Sequence, residues 1–395
     1  MMKRETETLQ ILIVGIGMTP VGEHWEKSLR QLALDAIAAC GEDCPALRPE
    51  VLFVANMLAP SLSGQAHLGP LLSDFAGLHG IETVSVEAAG ASGGTALRQA
   101  YLALRSGACD VAMVLGVEKP TDRLTPELNA ALAAAGDADY EAIHGATPAA
   151  LAGLLMQRYF HEYSLPADAL MGFSLNAHQN ALQNPLAMFH RALTPEQYNR
   201  APMISDPLCV YDAAPVADGA AALLLCRGAA IPQKLINPPV AILGSGASSD
   251  SSALHERRDP LTLAAAATSA HQALDQAGVE ITQIDLFEPH DIFSIYAALS
   301  LEAVGFAKRG EGWRLAQEGE ISPQGKIPLC TFGGSKARGD TGGATGVYQV
   351  AEVVMQLQNR AGPNQIPKAE RGMAQCLGGS GGTAATHILA RMENA

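Results

Sequence analysis

Positive charge is scarce in this chain. It has 26 lysines and arginines against 40 aspartates and glutamates, a formal charge of −14. Nucleic acid and anionic membrane surfaces both require a positive field, so neither is an expected partner. An anionic ligand held by a local basic cluster stays open. Long apolar runs are absent too: no stretch of ~18 or more apolar residues occurs, which excludes a membrane-spanning helix. Met1–Leu9 is short and polar, unlike a signal peptide, and Met392–Ala395 carries no targeting or lipidation signal. The seven cysteines (Cys40, Cys44, Cys109, Cys209, Cys226, Cys330, Cys376) are odd in number and scattered, with no CxxC and no Cys/His cluster at zinc spacing. That pattern reads as free thiols in a reducing cytoplasm, with no metal. Aromatics are only 5% of residues, so Ala, Leu and Val must fill the core, small side chains that let helices lie close to sheets.

What is present is a β/α alternation. Strand Ile11–Gly15, helix Leu29–Cys40, strand Val51–Val54, strand Thr83–Val86, helix Thr95–Leu104 and strand Val111–Gly116 follow one another. Gly15 and Gly17 look like the start of a dinucleotide motif, but the third glycine is missing and Pro20 stands where a helix should begin, so that reading is set aside. A second start comes at Val240-Ala241-Ile242-Leu243-Gly244-Ser245-Gly246, followed by helix Pro260–Ala277 and a strand through Ile284–Phe287. Gly90-Ala91-Ser92-Gly93-Gly94 aligns with Gly339-Asp340-Thr341-Gly342-Gly343, and a helix follows each, the second over Ala344–Leu357. Matching element order plus a matching turn implies a duplication. The expected units are residues 1–231 and 239–395, joined by Pro232–Pro239. Thr121–Pro166 reads as an inserted region with helices near Pro126–Ala134 and Pro148–Phe160, lying over the site.

The turn at Val86–Leu97 carries most of the information. A β-rich run enters a small-residue turn that opens a helix, a geometry that lowers a thiol pKa or binds an oxyanion on free backbone N–H groups. Yet Gly90 holds the position where a nucleophile belongs. Read alone, the stretch fits equally a close-packed turn with no chemistry.

Three further segments complete the pattern: Glu288-Pro289-His290-Asp291-Ile292-Phe293, Gly333 through Gly346, and Cys376-Leu377-Gly378-Gly379-Ser380-Gly381-Gly382 before a last strand, Ala385–Ala390. Together with Asn56-Met57-Leu58, Gly116-Val117-Glu118-Lys119 and Pro215–Ala221, they resemble the thiolase superfamily over nearly the whole chain, and more narrowly its sterol-carrier-protein-type and archaeal-type acetyl-CoA acetyltransferase-like branch. The resemblance implies an α/β fold of five layers, α-β-α-β-α, made of two similar halves. It implies a coenzyme A thioester as substrate, contacted at Gly378, Ser245 and Gly246. It also implies a homodimer through the edge near Thr83–Ala89, and a small zinc-ribbon/OB-fold protein as a possible partner.

Members of that family acylate a cysteine in the first glycine turn, activate it with the histidine of Gly-His-Pro, move protons with the cysteine of Cys-x-Gly, and hold the thioester oxygen with the histidine of His-Asp-x-Phe. Here His290 matches the last and Cys376 the Cys-x-Gly cysteine. Gly90 replaces the acylated cysteine, Asp340-Thr341 replaces His-Pro, and Cys330 stands where an asparagine is common. Asp340 reads as well as a helix N-cap as a catalytic group, and Cys376, Cys330 and His290 each also fit a buried, inert role. The N–H groups of Gly90 and Gly378 are expected to keep an oxyanion site, since backbone donors need no side chain. Three functions follow: non-thiolytic enolate chemistry, of retro-aldol or decarboxylation type, by His290, Cys376 and Asp340; a non-catalytic scaffold subunit; or a thiolase that recruits Cys376 or Cys330. Returning a thiol to position 90 is expected to permit acylation.

Overall fold

The computed structural model describes residues 10–392. Met1–Leu9, and Met392–Ala395 beyond its first residue, lie outside them. Eleven strands form: β1 (Ile11–Met18), β2 (Val51–Ala55), β3 (Glu82–Val86), β4 (Val111–Glu118), β5 (Met203–Ser205), β6 (Leu208–Cys209), β7 (Gly219–Arg227), β8 (Val240–Ser249), β9 (Leu286–Glu288), β10 (Arg371–Gly378) and β11 (Thr383–Arg391). Nine of them make one sheet in the order β3-β2-β4-β7-β1-β8-β11-β10-β9. From the two outer edges inward, the order is mirrored. β2 is parallel to β3 and β4, and β7 is antiparallel to β4 and β1. On the other side β10 is parallel to β9, and β11 is antiparallel to β10 and β8. Leu329 makes a parallel bridge to Phe287 outside β9, where β3 lies beside β2. The seam is narrow, with only Leu12–Ala241 and Ile13–Val240 paired between β1 and β8. The two halves of the ladder are joined only at this seam.

The helices fill the remaining layers: α1 (Leu29–Asp43), α2 (Leu68–Phe75), α3 (Ser92–Ser106), α4 (Thr125–Ala133), α5 (Pro148–Tyr163), α6 (Met171–Ala181), α7 (Pro195–Asn199), α8 (Ala264–Ala277), α9 (Ser294–Val304), α10 (Gly312–Gln317) and α11 (Thr345–Leu357). α1 packs outside β1, β7 and β4; α8 packs outside β8, β11 and β10. α3 and α11 lie between, each touching strands from both sides of the seam. The result is the five-layered α-β-α-β-α fold. Among the described residues no helix is long and apolar enough to cross a membrane.

Local chemistry sets the element ends. Ser28 caps α1 in a capping box with Gln31. α8 begins at Ala264 rather than Pro260, because Asp259 first closes a turn by accepting from Leu261 N–H (3.1 Å) and Thr262 Oγ1 (3.1 Å). α3 turns Leu97, Tyr101 and Leu104 into the core, as their helical spacing requires. The two aligned turns differ in offset. α3 starts two residues after Gly90, but a 3-10 turn over Gly342–Ala344 intervenes before α11, held where Asp340 Oδ1 accepts from Gly342 N–H (3.1 Å).

α11 is buried almost all round, including Gln349, Glu352 and Gln356. It meets α3 backbone to backbone. A Cβ on Gly346 would lie 2.6 Å from Gly94 N, and one on Gly93 would lie 2.7 Å from Val347 N. Neither backbone can retreat from the layers around it. Gly346→Ala is therefore expected to cost about 1–3 kcal/mol by overpacking, read as a lowered denaturation midpoint at unchanged slope. A midpoint equal to that of the parent would contradict the crossing.

Candidate active site

The turn after β3 is a tight elbow held by its own serine. Ala89 takes a left-handed conformation (φ 50°), a strained choice for a residue with a Cβ. Ser92 Oγ compensates by donating to Ala89 O (2.6 Å) and accepting from Ala88 N–H (2.9 Å). Ala91 and Ser92 N–H donate to Ala88 O and Ala89 O, both at 3.0 Å. Gly90 is the tip. A Cβ there would lie 2.7 Å from Leu377 O and 2.9 Å from His290 Nε2. The imidazole occupies the space of the missing side chain, so a thiol at 90 and His290 in its present position exclude one another.

His290 is only 2% exposed, and its Nδ1 is buried without a hydrogen-bond partner. Burial pushes its pKa down to about 4, opposed by Asp291 and reinforced by the Arg338 guanidinium. The ring is therefore neutral at pH 7. The Arg338 charge and the lack of an acceptor at Nδ1 both favour the tautomer with its proton on Nε2, toward Gly90. Behind the ring lies a buried ionic cluster. Arg338 Nη1 donates to Glu352 Oε2 (2.6 Å) and lies over the Tyr348 ring (5.1 Å). Glu288 Oε1 accepts from Thr331 N–H (2.7 Å) and Oγ1 (2.8 Å), and Asp291 Oδ1 accepts from Ser335 N–H (2.6 Å). Burial and the neighbouring Glu352 push the Glu288 carboxyl well up.

One extended segment positions both ionisable side chains of the site. Ala214 N–H donates to Ile292 O (2.8 Å), Asp340 N–H donates to Pro215 O (2.8 Å), and Ala217 N–H donates to Asp340 O (2.9 Å). Residues 213–217 thus bind the His290 segment at one end and the Asp340 segment at the other. Asp340 Oδ1 also accepts from Thr345 Oγ1 (2.9 Å); it stabilises the turn before the helix but is not its N-cap, which falls at Thr341 for the 3-10 turn and Ala344 for α11. Burial raises its carboxyl pKa, against the Thr345 and Gly342 hydrogen bonds.

Gly90, His290 and Asp340 line a single cavity of about 100 Å3. Its other walls are mainly apolar: Met57, Ala214, Val216 and Phe293 from the core, and Leu132 and Leu151 from the 121–166 region. Cys376 is not brought to it. Leu377 faces the cavity, and strand alternation turns Cys376 the other way, its Sγ 3.5 Å from Ala91 O and 3.8 Å from Ala385 O. Gly378, on the same side of the strand as Cys376, faces a neighbouring cleft with Ala88 and Ala89. Ser245 and Gly246 are also displaced from the expected thioester site. Both lie inside β8 beneath α8, where Ser245 N–H donates to Gln276 Oε1 (2.9 Å) and Gly246 abuts Ser269. Cys330 is buried with φ 52°, a conformation that asparagine tolerates better than cysteine. Among the described residues no group of three or more His, Cys, Asp or Glu is placed to hold a metal. Met57, Ala214, Phe293 and Ser380 had no individual signal in the sequence. Met57, Phe293 and Ser380 fell inside the Asn56–Leu58, Glu288–Phe293 and Cys376–Gly382 motifs, and Ala214 beside Pro215–Ala221, without being singled out.

A small-residue elbow at a helix start, a buried neutral histidine against it and a glycine-rich second turn are set in a five-layered fold. In sequence, residues 11–229 match the thiolase N-terminal domain and residues 246–391 the family described as thiolase C-terminal domain-like. The chain belongs to the thiolase family. It is similar to the acetyl-CoA acetyltransferase of Methanothermobacter thermautotrophicus, 39% identical over 383 residues that cover 96% of this chain and 99% of the relative. The benzoylsuccinyl-CoA thiolase subunit BbsB of Thauera aromatica is 28% identical over 375 residues, covering 94% and 95%. The solved structure of the Ltp2-ChsH2(DUF35) aldolase shares the fold, with a TM-score of 0.83 at 21% identity over 98% of this chain and 99% of that one.

The buried histidines predict an acid response. His290 and His387 both have pKa values pushed down to about 4 by burial, His387 while its Nε2 donates to Gly94 O (3.0 Å). The folded state resists protons that the unfolded chain accepts below pH 6.5. Each ring's contribution is thus intact above pH 6.5 and is lost as pH drops from 6.5 to 4, by on the order of 3 kcal/mol. The raised buried carboxyls of Glu118, Glu288 and Asp340 act in the opposite sense over the same range, so the histidine effect is read as a difference: from pH 7 to 4.5 the urea-derived stability of the parent should fall relative to that of His387→Gln. A parent-minus-variant difference independent of pH in that window contradicts the assignment.

Proposed function

We propose that this protein binds a coenzyme A thioester in the cavity and forms its enolate without an acyl-enzyme, as a non-thiolytic member of the acyltransferase lineage. The observation that carries the reading is the His290 ring standing where the nucleophile's side chain would be. His290 Nε2–H and Gly90 N–H, which finds no acceptor among the described residues, point to the thioester oxygen. Donors fixed in advance at a developing oxyanion are worth about 2.7–4 kcal/mol each in low-dielectric sites. Asp340, with its raised pKa, is the base that moves the proton. A relative named acetyl-CoA acetyltransferase and another named a benzoylsuccinyl-CoA thiolase subunit support a thioester ligand.

A recruited thiol fits less well. Cys376 is buried away from the cavity with its pKa pushed up to about 12, and burial pushes Cys330 well above its ordinary value. Neither carries a thiolate at neutral pH.

Assembly and place follow the same reading. We infer units 1–231 and 239–395 from the mirrored strand order, with 121–166 as the lid. The half-exposed edge strand β3 suits a homodimer. A small zinc-ribbon/OB-fold partner suits the same lineage, and one structural neighbour is named as a complex with a second component. Seven unpaired cysteines suit the cytoplasm. The scaffold reading, in which such an assembly uses this chain without catalysis, has no observation in its favour beyond Gly90.

Acetyl-CoA in deuterated buffer tests the proposal. The protein should exchange the acetyl hydrogens, followed by NMR, while its intact mass shows no acetyl adduct. His290→Ala should slow exchange by about 10²–10³. A trapped acetyl group on any cysteine, or no exchange at all, overturns the reading.

A further inference from the structure

Among the described residues, His290 and Asp340 are the only ionisable side chains lining the cavity; no lysine or arginine does. Burial keeps His290 neutral. A carboxylate on the acyl group would meet no counter-charge there and would face the Asp340 carboxylate, a desolvated like-charge contact that costs several kcal/mol. Substrates that lose CO2 from a carbon next to the thioester are therefore excluded, and the acyl group must be uncharged.

Asp340 is built to accept one proton from such a group. Oδ1 is committed to Gly342 N–H and Thr345 Oγ1, while Oδ2 has no hydrogen bond among the described residues. The backbone on either side is pinned to Pro215 and Ala217. The carboxylate is thus anchored by one oxygen and open to the cavity through the other. A hydroxyl is the neutral group that satisfies a lone carboxylate oxygen. Size sets the chain length. A cavity of about 150 Å3 holds six carbons as benzene, so about 100 Å3 suits an acyl group of roughly four carbons.

We propose that the protein is a retro-aldolase of short, uncharged 3-hydroxyacyl thioesters, with Asp340 as the base that removes the 3-hydroxyl proton. The proposal rests on the enolate reading above. Asp340 Oδ2 takes the proton of the 3-hydroxyl. The O–H electron pair forms the new C=O bond, and the bond between carbons 2 and 3 breaks. Its electron pair moves into the enolate, whose oxygen lies on His290 Nε2–H and Gly90 N–H. An aldehyde leaves, and Asp340 returns the proton to carbon 2, giving the acetyl thioester. Atoms and electrons balance with no oxidant, reductant or co-substrate. The raised pKa of Asp340 makes it the stronger base for the first step.

The test gives the whole protein 3-hydroxybutyryl-CoA, with malonyl-CoA and 3-hydroxydecanoyl-CoA as separate arms. Acetaldehyde and acetyl-CoA should form in equal amounts from the first, with no acetyl-CoA from malonyl-CoA and little cleavage of the ten-carbon thioester. Asp340→Asn keeps an Oδ1 acceptor for Gly342 N–H and Thr345 Oγ1, so its melting temperature should hold while kcat falls by about 10²–10⁴. Asp340→Ser, which keeps a side-chain oxygen for Gly342 N–H without a carboxylate, should lose the same activity. Cleavage that survives in both folded variants overturns the role of Asp340, and acetyl-CoA from malonyl-CoA overturns the substrate class. Deuterium exchange into acetyl-CoA without cleavage of 3-hydroxybutyryl-CoA sinks retro-aldol chemistry and leaves the enolate reading standing. Absence of both sinks both.

Discussion

The close crossing of α3 and α11 is the constraint on which the site depends. Gly93 and Gly94 on one helix and Gly346 on the other let two backbones touch between two layers of strands. That contact brings the two helix starts together, and with them the Gly90 elbow and the Asp340 turn. Glu118 fixes the arrangement from the side. Its carboxylate accepts from Met57 N–H (2.9 Å), Leu58 N–H (3.1 Å) and Gly343 N–H (3.0 Å), joining the loop after β2 to the turn before α11. Burial raises its pKa to about 7 even against those donors. So much desolvation is tolerable only because nearly every lone pair is used.

The proposed enolate chemistry rests on what stands around this crossing. A nucleophile at the elbow would need room for a side chain and a charged or basic partner. Gly90 removes the side chain, and the buried His290 ring closes the gap. Burial keeps His290 neutral, reinforced by the Arg338 guanidinium behind it, so it acts as a hydrogen-bond donor and not as a cation. Asp340 cannot imitate an imidazole. Its anchored carboxylate offers one free oxygen where a neutral histidine would offer one nitrogen. These changes are coupled through the 213–217 segment, which carries hydrogen bonds to both.

Much of this was legible in the sequence because it rests on local pattern. The Val86–Leu97 turn, the helix face Leu97–Tyr101–Leu104 and the repeated glycine turn each follow from spacing and small-residue chemistry, and all three occur in the fold. What failed to show was side-chain direction at strand ends. Cys376 and Leu377 are adjacent, and only the strand's register decides which faces the cavity. Ser245 and Gly246 looked like a ligand turn because glycine marks close approach. The close approach is α8 on β8, and no single-sequence pattern distinguishes a helix from a ligand. Asp259 delayed α8 by a turn through a side-chain cap, which periodicity cannot show. The collision between His290 and a Cβ at position 90 is a contact across two hundred residues. It is visible only once the crossing is built.

The central claim is that His290 is a neutral donor aimed at a thioester oxygen above Gly90. It is most directly tested by the ring ¹⁵N signals of His290. The probe is acetonyl-CoA, a thioether ketone that offers the carbonyl without a labile thioester bond. The account predicts a proton on Nε2 and none on Nδ1 at pH 7, and a downfield shift of that Nε2–H as the ketone binds. An imidazolium at pH 7, or saturable ketone binding that leaves the His290 signals unmoved, would contradict it.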